Sequence, residues 1–380
     1  MINQPVVNLK DSPKFPEKLT GSFWGITTFF NPQGYKNKLE HYKVFRENAK
    51  RQGLKLLVIE CALKDNGYEI QEEDADILVR VKSNSVLWHK ERLLNIALKH
   101  LPVDCDKIIW IDCDVIILND NWIKETAELL EDYIIVKPFS KAIRLDRKET
   151  KMLIKNNSLN DFENKRRDSA ETYSIENNPF WFLSVFGIAA RRKTMDKIGF
   201  FDTTIAGNGD SLMISAFLNI DPVIPRKPLT AEINQNFLSE INNWNKMTAT
   251  EIRKSIAALD GIMIHLFHGS LKEKKYDNRF DFLADNGYNP KTFLTKNEYD
   301  CYEWTEKGQK LGRELEYYFL ERNETGSLFT NIYAKIIRPD ITIKRLVRNN
   351  YERLDRIIGK VGIILKKYAP SLYRALKGGK

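Results

Sequence analysis

The stretch Ile108-Ile109-Trp110-Ile111-Asp112-Cys113-Asp114-Val115 joins a run of apolar residues directly to two aspartates. The apolar run predicts a buried β-strand that ends where the carboxylates begin. Because residues i and i+2 of an extended chain share a face, Asp112 and Asp114 are expected to point into the same crevice, with Cys113 facing back. Two such carboxylates suit Mg²⁺ or Mn²⁺. The alternative is a turn in which the aspartates make only local hydrogen bonds.

Short apolar runs alternate with helical patterns on both sides of this stretch. The predicted strands are Phe23 to Phe30, Leu54 to Glu60, Ile77 to Val81 and Lys107 to Ile111, and the predicted helices are Tyr35 to Arg51 and Ser85 to His100. This alternation indicates an α/β fold with a Rossmann-like, mostly parallel sheet flanked by helices. Ligands of such sheets bind at the carboxyl ends of the strands, so the residues that follow each strand are the candidates for function.

The remaining sequence predicts a second half and a tail. The segment Arg144 to Glu176 is dense in charge and is expected to be an insertion or a mobile loop. Strands are predicted at Trp181 to Ala190 and at Gly261 to Phe267, followed by a helix-rich region from Lys291 to Arg322. The predicted divisions are a first half at 1–138, an insertion at 139–180, a second half at 181–300 and a helical extension at 301–380.

Composition narrows the class of protein. The chain has 380 residues, of which 42% are hydrophobic, and its four cysteines form no C-x-x-C pair. This usage predicts a reducing, cytoplasmic compartment. The longest apolar stretch, Trp181 to Ala190, is about half of the roughly 20 residues that a membrane-spanning helix requires.

The sequence around the aspartates is similar to a known family. The run Leu87 to Ala97, then Leu101-Pro102, then Trp110 to Asp114 resembles the helix, strand and DXD segment of GT-A glycosyltransferases, including the family-2-like enzymes that build bacterial or viral surface glycans. The resemblance implies a nucleotide-sugar donor and a Mn²⁺ or Mg²⁺ ion. It also implies that Asp114 ligates the metal and that Asp112 lies near the ribose or contributes to the metal site.

The resemblance extends to the ends of the first two strands. Thr27, Thr28 and Asn31 follow the first strand, Glu60 closes the second, and the corresponding positions of similar families line the nucleobase and ribose. A carboxylate accepts hydrogen bonds from a base N–H or from sugar hydroxyls. The alternative is that Thr28 and Asn31 only shape a turn before Pro32.

Two polar residues of the predicted helix before the aspartates, Lys90 and Asn95, belong to the same donor-binding set. Lys90 is placed to reach a phosphate, whereas the simpler interpretation is a lysine that coats a helix and stays solvated.

A glycine-rich turn, Ala206-Gly207-Asn208-Gly209-Asp210, leads into a predicted helix from Ser211 to Leu218. The glycines permit a tight bend that would present Asp210 to the cleft. There a carboxylate can accept the proton of an attacking hydroxyl as a general base. Similar turns in related glycosyltransferases favour this role, and the alternative is that Asp210 caps the helix.

A third pattern, His265-Leu266-Phe267-His268-Gly269-Ser270, precedes a basic run and resembles the C-terminal motif of bacterial and viral GT-A enzymes. If the strand persists, His265 and His268 face opposite sides, so only His268 is expected to bind a metal and His265 is expected to lie in the core. Lys274 and Arg279 are candidates to clamp a diphosphate. Lysine stands at 274 where the resembling motif has arginine, which argues against a bidentate contact there.

The tail carries most of the net charge. Residues 331–380 hold 13 Lys/Arg and 3 Asp/Glu, a charge of +10 against +9 for the whole chain. Apolar residues recur at helical spacing at Val347, Tyr351, Leu354, Ile358, Val361, Leu365 and Tyr368. Such a helix fits an anionic membrane surface. A coiled coil that makes an oligomer and a helix packed on its own domain are the alternatives, and nucleic acid is not expected.

These patterns together predict an enzyme that moves a sugar from a nucleotide diphosphate to a hydroxyl of a glycan or lipid-linked glycan. Residues 1–138 would be its donor-binding half and residues 181–300 its acceptor and catalytic half. A base at Asp210 suggests inversion. The enzymatic alternative is a nucleotidyltransferase that makes nucleotide sugars, which usually needs a glycine-rich basic loop after the first strand. A non-catalytic scaffold that acts through the tail is the alternative from another class.

Overall fold

The computed structural model describes residues 9–156, 172–174, 186–224, 227–228, 235–270, 274 and 279–325. All of them belong to one compact unit that extends to Gly326. The predicted basic helix of residues 331–380 lies outside the described residues, as do 157–171 and 175–185. None of the helices within the described ranges is both long and apolar enough to span a membrane.

The elements in these ranges alternate between strand and helix along the first half of the chain. The strands are β1 Ser22–Phe30, β2 Lys55–Leu63, β3 Ile77–Ser83, β4 Cys105–Ile111, β5 Val115–Ile117, β6 Ile135–Lys137, β7 Lys141–Arg144, β8 Thr172–Ser174, β9 Gly187–Arg191, β10 Val223–Ile224, β11 Lys227–Pro228, β12 Ile256–Ala258, β13 Ile262–His265, β14 Leu294–Lys296 and β15 Tyr302–Trp304. The helices are α1 Lys36–Arg51, α2 Lys90–Leu98, α3 Trp122–Asp132, α4 Arg147–Asn156, α5 Arg192–Ile198, α6 Gly209–Phe217, α7 Gln235–Ile252, α8 Arg279–Asp285, α9 Pro290–Phe293 and α10 Gln309–Glu321, with 3₁₀ turns at Glu72–Asp74 and Glu306–Gly308.

The central sheet has seven strands in the order β12-β6-β9-β4-β1-β2-β3. Strand β4 lies in its middle, parallel to β1 and antiparallel to β9. The remaining pairs are parallel except β6 with β9. The sheet is therefore mostly parallel, as predicted, and β9 from the predicted catalytic half pairs with β4 from the predicted donor half.

The central strands are buried on both faces, which explains their continuous apolar sequences. Ile108 and Trp110 of β4 pack into one hydrophobic cluster together with helix α2, whereas Ile109 and Ile111 pack into a second cluster together with α1 and α3. Alternate residues thus face opposite layers of helices. This sandwich fixes the end of β4, and with it the position of the aspartates.

A second sheet of four strands, in the order β5-β13-β7-β8, stands beside the first. Strand β13 is antiparallel to β5, where His265 is the partner of Val115, and parallel to β7, where His265 is the partner of Arg144. Because β5 begins directly after Asp114, this sheet brings the end of β13 to the aspartates.

The four strands predicted for the first half are confirmed, with the second and third extending to Leu63 and Ser83. The predicted helix from Ser85 was wrong at its start, since α2 begins only at Lys90. The residues just before Lys90 are not helical, and the backbone N–H of Trp88 instead donates to the carbonyl oxygen of Ile205 at 2.8 Å.

The predicted helix-rich region Lys291 to Arg322 is confirmed, since it holds most of α9, a 3₁₀ turn and α10, with the antiparallel hairpin β14–β15 between α9 and the turn. The prediction for the charged segment from Arg144 needs correction. This segment is not wholly a loop, because α4 forms there and β8 pairs with β7. There tertiary packing outweighs a local sequence pattern.

Two buried histidines make the stability of the fold depend on pH. Burial lowers the pKa values of His89 and His41 from 6.5 to about 4. Below pH 6.5 the unfolded chain therefore binds protons that the folded chain does not, and stability falls as pH drops from 6.5 to 4, by on the order of 3 kcal/mol per histidine. Urea denaturation at several values across this window checks the loss. The His89→Gln variant should show a shallower pH dependence, while His100→Gln, at an exposed position, should not.

Candidate active site

One cleft of the described structure gathers most of the candidate residues. It opens where β1 and β4 end, and its walls include the start of α2, the start of α6 and the residues that follow β13 and α10. Its charged and metal-ligating side chains include Lys90, Asp112, Asp114, Asp210, His265 and His268. Both aspartates of the opening stretch thus face one crevice, as predicted, at the edge of the sheet where ligands of α/β proteins bind. Cys113, expected to face back, is part of the same lining, because the chain turns at Cys113 and Asp114 and is not extended there.

Asp114, His265 and His268 form a group that fits a metal ion. Their ligand atoms all lie within 4.8 Å of one another. The Asp114 Oδ2 atom is 2.8 Å from His268 Nδ1 and 3.7 Å from His265 Nε2. A carboxylate oxygen with two imidazole nitrogens is a donor set that binds divalent transition metals.

The prediction that His265 and His268 face opposite sides was wrong. Strand β13 ends at His265, so the alternation of an extended chain does not continue to His268. The backbone N–H of Leu266 instead donates to the carbonyl oxygen of Asp114 at 2.9 Å. The two rings meet edge to face with centroids 4.5 Å apart. His265 is buried, as expected, but it borders the cleft next to Asp114.

The electrostatics of this group favour the metal-binding protonation states. Burial alone would raise the pKa of Asp114, but the neighbouring His268 and His265 outweigh it and hold that pKa well below its usual range. Burial lowers the pKa of both histidines, which Asp114 only partly offsets. A carboxylate with neutral imidazoles is the form that binds cations, because protonated imidazole has no free lone pair.

Lys90 joins the other two aspartates of the cleft. Its Nζ atom lies 2.8 Å from Asp112 Oδ1 and 3.3 Å from Asp210 Oδ1. Burial lowers the pKa of Lys90, but the carboxylates of Asp112, Asp210 and Glu91 outweigh burial and raise it. Lys90 is therefore a buried cation shared by two carboxylates, and the interpretation of a solvated surface lysine was wrong.

Two more buried titratable residues, Glu91 and Lys137, interact with the residues of this bridge, and neither was predicted from the sequence. Burial, with the charge of Asp210, raises the pKa of Glu91 to about 8. Burial lowers the pKa of Lys137 to about 7, against the attraction of Asp210 and Asp112. With these pKa values Glu91 is mostly uncharged at pH 7 and Lys137 is only partly charged, and Asp210 interacts electrostatically with both.

Asp210 lies in the first turn of α6, one residue after Gly209. The residue at the capping position is Asn208, in the left-handed region with φ 74°. The alternative that Asp210 caps the helix is therefore wrong, and its carboxylate faces Lys90 and the cleft instead.

The two cations predicted to clamp a diphosphate lie at different places. The Lys274 ammonium contacts Nε2 of His268, beside the metal-binding group. Arg279 begins α8, and its Nη1 atom donates to Asn208 Oδ1 at 3.4 Å. Its guanidinium carbon is 5.7 Å from the centre of the Trp88 ring. Their role toward a diphosphate stays a prediction.

Of the predicted nucleoside-binding residues, one lines the cleft and the others do not. Thr28 lines the cleft. The other four residues, Thr27, Asn31, Glu60 and Asn95, lie outside that lining and make hydrogen bonds within the protein. Thr27 Oγ1 donates to the Ile111 carbonyl at 2.8 Å, and Glu60 accepts the Glu69 N–H at 2.5 Å. Asn31 Oδ1 accepts the Tyr35 N–H at 2.9 Å, and Asn95 Oδ1 accepts the Phe200 N–H at 2.8 Å. Their donor-binding roles stay predictions.

Further cleft residues were missed, because β7 was not predicted and nothing in the sequence placed the end of the predicted helical region in the cleft. Arg144 ends β7 beside His265, and Arg322 and Glu324 follow α10. Glu324 has its pKa lowered to about 2, since Lys38 and Arg322 outweigh burial. Gly269 lets this last segment approach, because a Cβ there would lie 3.0 Å from the Arg322 carbonyl oxygen and its φ is 98°.

No protein-family model matches this sequence, and a comparison with curated proteins finds no match. Among solved structures, glucosyl-3-phosphoglycerate synthase from Mycobacterium tuberculosis, in complex with Mn²⁺, uridine diphosphate and phosphoglyceric acid, is 12% identical, with a TM-score of 0.36 over 70% of this chain and 76% of that chain. TarS from S. aureus is 16% identical, with a TM-score of 0.33 over 51% and 55%. A Drosophila β1,4-galactosyltransferase 7 mutant with manganese, UDP-Gal and xylobiose is 13% identical, with a TM-score of 0.29 over 50% and 59%. Similarity this low does not assign residues or substrates to the present chain.

Proposed function

We propose that this protein is a metal-dependent glycosyltransferase of GT-A type that transfers a sugar from a nucleotide-diphosphate donor to a hydroxyl of a glycan or lipid-linked glycan. The observation that supports it best is the convergence of Asp114, His265 and His268 within 4.8 Å in the cleft that also contains Asp210. A metal site and a candidate base at the carboxyl ends of parallel strands suit the displacement of a nucleotide diphosphate from a sugar.

Asp114, His265 and His268 would hold a Mn²⁺ or Mg²⁺ ion, whose charge stabilises the departing diphosphate. Mg²⁺ prefers oxygen ligands, whereas imidazole nitrogen suits transition metals, so two histidines favour Mn²⁺. Asp112, predicted as a second ligand, is paired with Lys90 and would instead orient the donor sugar or ribose through its remaining lone pairs. The ammonium of Lys274, beside His268, would attract the diphosphate.

Asp210 would act as the general base that accepts the proton of the acceptor hydroxyl. Its ion pair with Lys90 fixes the orientation of the carboxylate, and Lys90 in turn is fixed by Asp112. The bridge links the base to the end of β4, so base and donor keep a constant spacing. A single base that activates the acceptor favours inversion at the anomeric carbon.

The nucleotidyltransferase alternative lacks its triphosphate loop, since Thr27 to Pro32 contains neither glycine nor lysine. A non-catalytic scaffold would not need the ion pairs of Lys90 with Asp112 and Asp210 or the metal-binding group. A thermal-shift screen of common nucleotide sugars, each with and without Mn²⁺, tests the proposal. Stabilisation by one nucleotide sugar that depends on Mn²⁺ supports it, and a preference for nucleoside triphosphates with sugar phosphates would favour the nucleotidyltransferase.

The His265→Ala variant tests whether both histidines bind the metal. Loss of one imidazole should weaken Mn²⁺ binding by on the order of 10- to 100-fold while affecting Mg²⁺ less, because Mg²⁺ gains less from nitrogen ligands. Titration of each metal into the metal-free protein, followed by calorimetry, measures this ratio. The exposed His100 provides the control variant His100→Ala. If Mn²⁺ and Mg²⁺ affinities fall by the same factor, the imidazole of His265 is not a metal ligand and only packs beside the site.

The tail is proposed to attach the enzyme reversibly to an anionic membrane surface, where lipid-linked acceptors lie. Its charge of +10 comes from 13 Lys/Arg and 3 Asp/Glu in residues 331–380. Each basic residue near such a surface contributes about 1 kcal/mol, and salt weakens the attraction. The full chain should sediment with phosphatidylserine liposomes at low salt, and neutralising Arg348, Arg353, Arg356 and Lys360 should release it. If the chain ignores liposomes, light scattering separates a coiled-coil dimer from a helix packed on its own domain.

A further inference from the structure

We propose that the cleft contains an anion subsite apart from the metal-binding group, and that it binds the phosphate or carboxylate of an anionic sugar acceptor. The subsite is the N–H wall, defined as Trp88, Asn208, Arg279 and Arg322. The inference rests on the proposed glycosyl transfer and adds to it the chemical class of the acceptor.

Two buried N–H groups of the wall point to a missing acceptor atom. Asn208 is 7% exposed, and its Nδ2 atom has no hydrogen-bond partner in the described structure. The contact of Oδ1 with Arg279 Nη1, at 3.4 Å, assigns the opposite end of the amide as the donor. The indole Nε1 of Trp88 is likewise buried and has no partner among the described residues. Buried donors are nearly always satisfied, so an oxygen-bearing ligand is expected at these two.

The charge of the wall specifies an anion. Arg279 and Arg322 are 4% and 3% exposed, and their guanidinium carbons lie 5.7 and 5.0 Å from the centre of the Trp88 ring. Glu324 partly neutralises Arg322, since its Oε1 atom is 3.0 Å from Nε. Guanidinium groups offer paired N–H donors that match the oxygens of phosphate or carboxylate.

The wall belongs to the acceptor side of the cleft. Gly207 has φ 93°, and a Cβ there would lie 2.5 Å from Arg279 Nη1 and 3.6 Å from Trp88 Cδ2. The turn that carries Asp210 is therefore in contact with the wall, whereas Asp114 contacts His265 and His268, and Lys274 contacts His268. An anion on the wall lies beside the proposed base, where the acceptor hydroxyl must be. This assigns Arg279 to the acceptor rather than to the donor diphosphate.

Binding without metal tests the subsite by itself. With EDTA present, the full chain is titrated with glucose 6-phosphate, glucuronate and inorganic phosphate, and with neutral glucose as reference, followed by tryptophan fluorescence and thermal shift. We expect at least one anion to bind and glucose not to. The Trp88→Phe variant, which keeps the ring but not the N–H, and Arg279→Gln should each weaken anion binding about tenfold or more.

The exposed ion-pair residue Arg51 supplies the matched control, since Arg51→Gln removes a guanidinium outside the cleft lining. If Arg279→Gln does not fold, Trp88→Phe alone decides. The proposal is overturned if no anion binds better than glucose, or if Arg51→Gln weakens binding as much as the wall variants.

Competition identifies the source of the anion. With Mn²⁺ and UDP at saturation, an acceptor subsite still binds the anionic sugar, whereas loss of binding would assign the wall to the donor diphosphate and overturn the acceptor assignment. A chain that binds the anion in EDTA but no nucleotide sugar with Mn²⁺ would refute the proposed glycosyl transfer and not the subsite. A chain that binds a nucleotide sugar with Mn²⁺ but no anion in EDTA would refute the subsite and not the proposed glycosyl transfer.

Discussion

An Asp114→Asn variant is expected to lose metal-dependent binding of nucleotide sugars, with Mn²⁺ affinity lowered on the order of 100-fold or more. The carboxylate is the only anionic member of the group with His265 and His268. An amide oxygen keeps the shape of the side chain but not its charge, so it binds a hard divalent cation far less tightly. Calorimetry with Mn²⁺ alone, and then with Mn²⁺ and the nucleotide sugar from the thermal-shift screen, measures the loss.

The exposed Asp120, which pairs with Arg51 at 2.8 Å, provides the control variant Asp120→Asn. That variant carries the same chemical change outside the cleft lining and should bind metal like the wild type. Circular dichroism and a thermal melt of both variants exclude unfolding as the cause. Unchanged Mn²⁺ affinity in Asp114→Asn would exclude Asp114 as a metal ligand and overturn the three-residue metal site.

The end of β4 could be predicted from the sequence because its physical cause is local. A parallel strand that is buried on both faces reads as an apolar run, and carboxylates cannot enter that sandwich without partners, so the run stops where the cleft begins. The position of Asp112 and Asp114 follows from this rule. The start of α6 was predicted to within two residues, because the glycines on either side of Asn208 indicate a tight bend, and Gly207 and Asn208 do take positive φ angles.

Contacts between distant segments were the part that the sequence could not supply. The meeting of His265 with His268 depends on where β13 ends and on the pairing of β13 with β5, which no period-2 pattern reveals. Arg144 lies in the cleft only because the short strand β7 pairs with β13. The sequence alone predicts a solvated helix residue at Lys90, whereas in the structure Asp112 after β4 and Asp210 of α6 form ion pairs with it.

Because Lys90 joins Asp210 to Asp112, a substitution of Asp210 can lower turnover without lowering donor affinity. Its carboxylate pairs with Lys90, while the metal-binding group is made by other residues. An Asp210→Asn variant keeps an oxygen that can accept a hydrogen bond from Lys90, and Lys90 keeps its partner Asp112 at 2.8 Å. The fold and the donor site are therefore expected to survive the change.

The Asp210→Asn variant is consequently expected to lower turnover by about 10²- to 10⁴-fold, the usual effect of losing a general base, while donor affinity changes by no more than a few fold. Rates at saturating donor and acceptor, together with calorimetry of the donor, separate the two quantities. The exposed Asp221, after α6, gives the control Asp221→Asn, which should turn over normally. If Asp210→Asn retains turnover within a few fold of wild type, the carboxylate serves only to hold Lys90, and another group takes the acceptor proton. If turnover and donor affinity instead fall together, Asp210 positions the donor through the Lys90 bridge and is not the base.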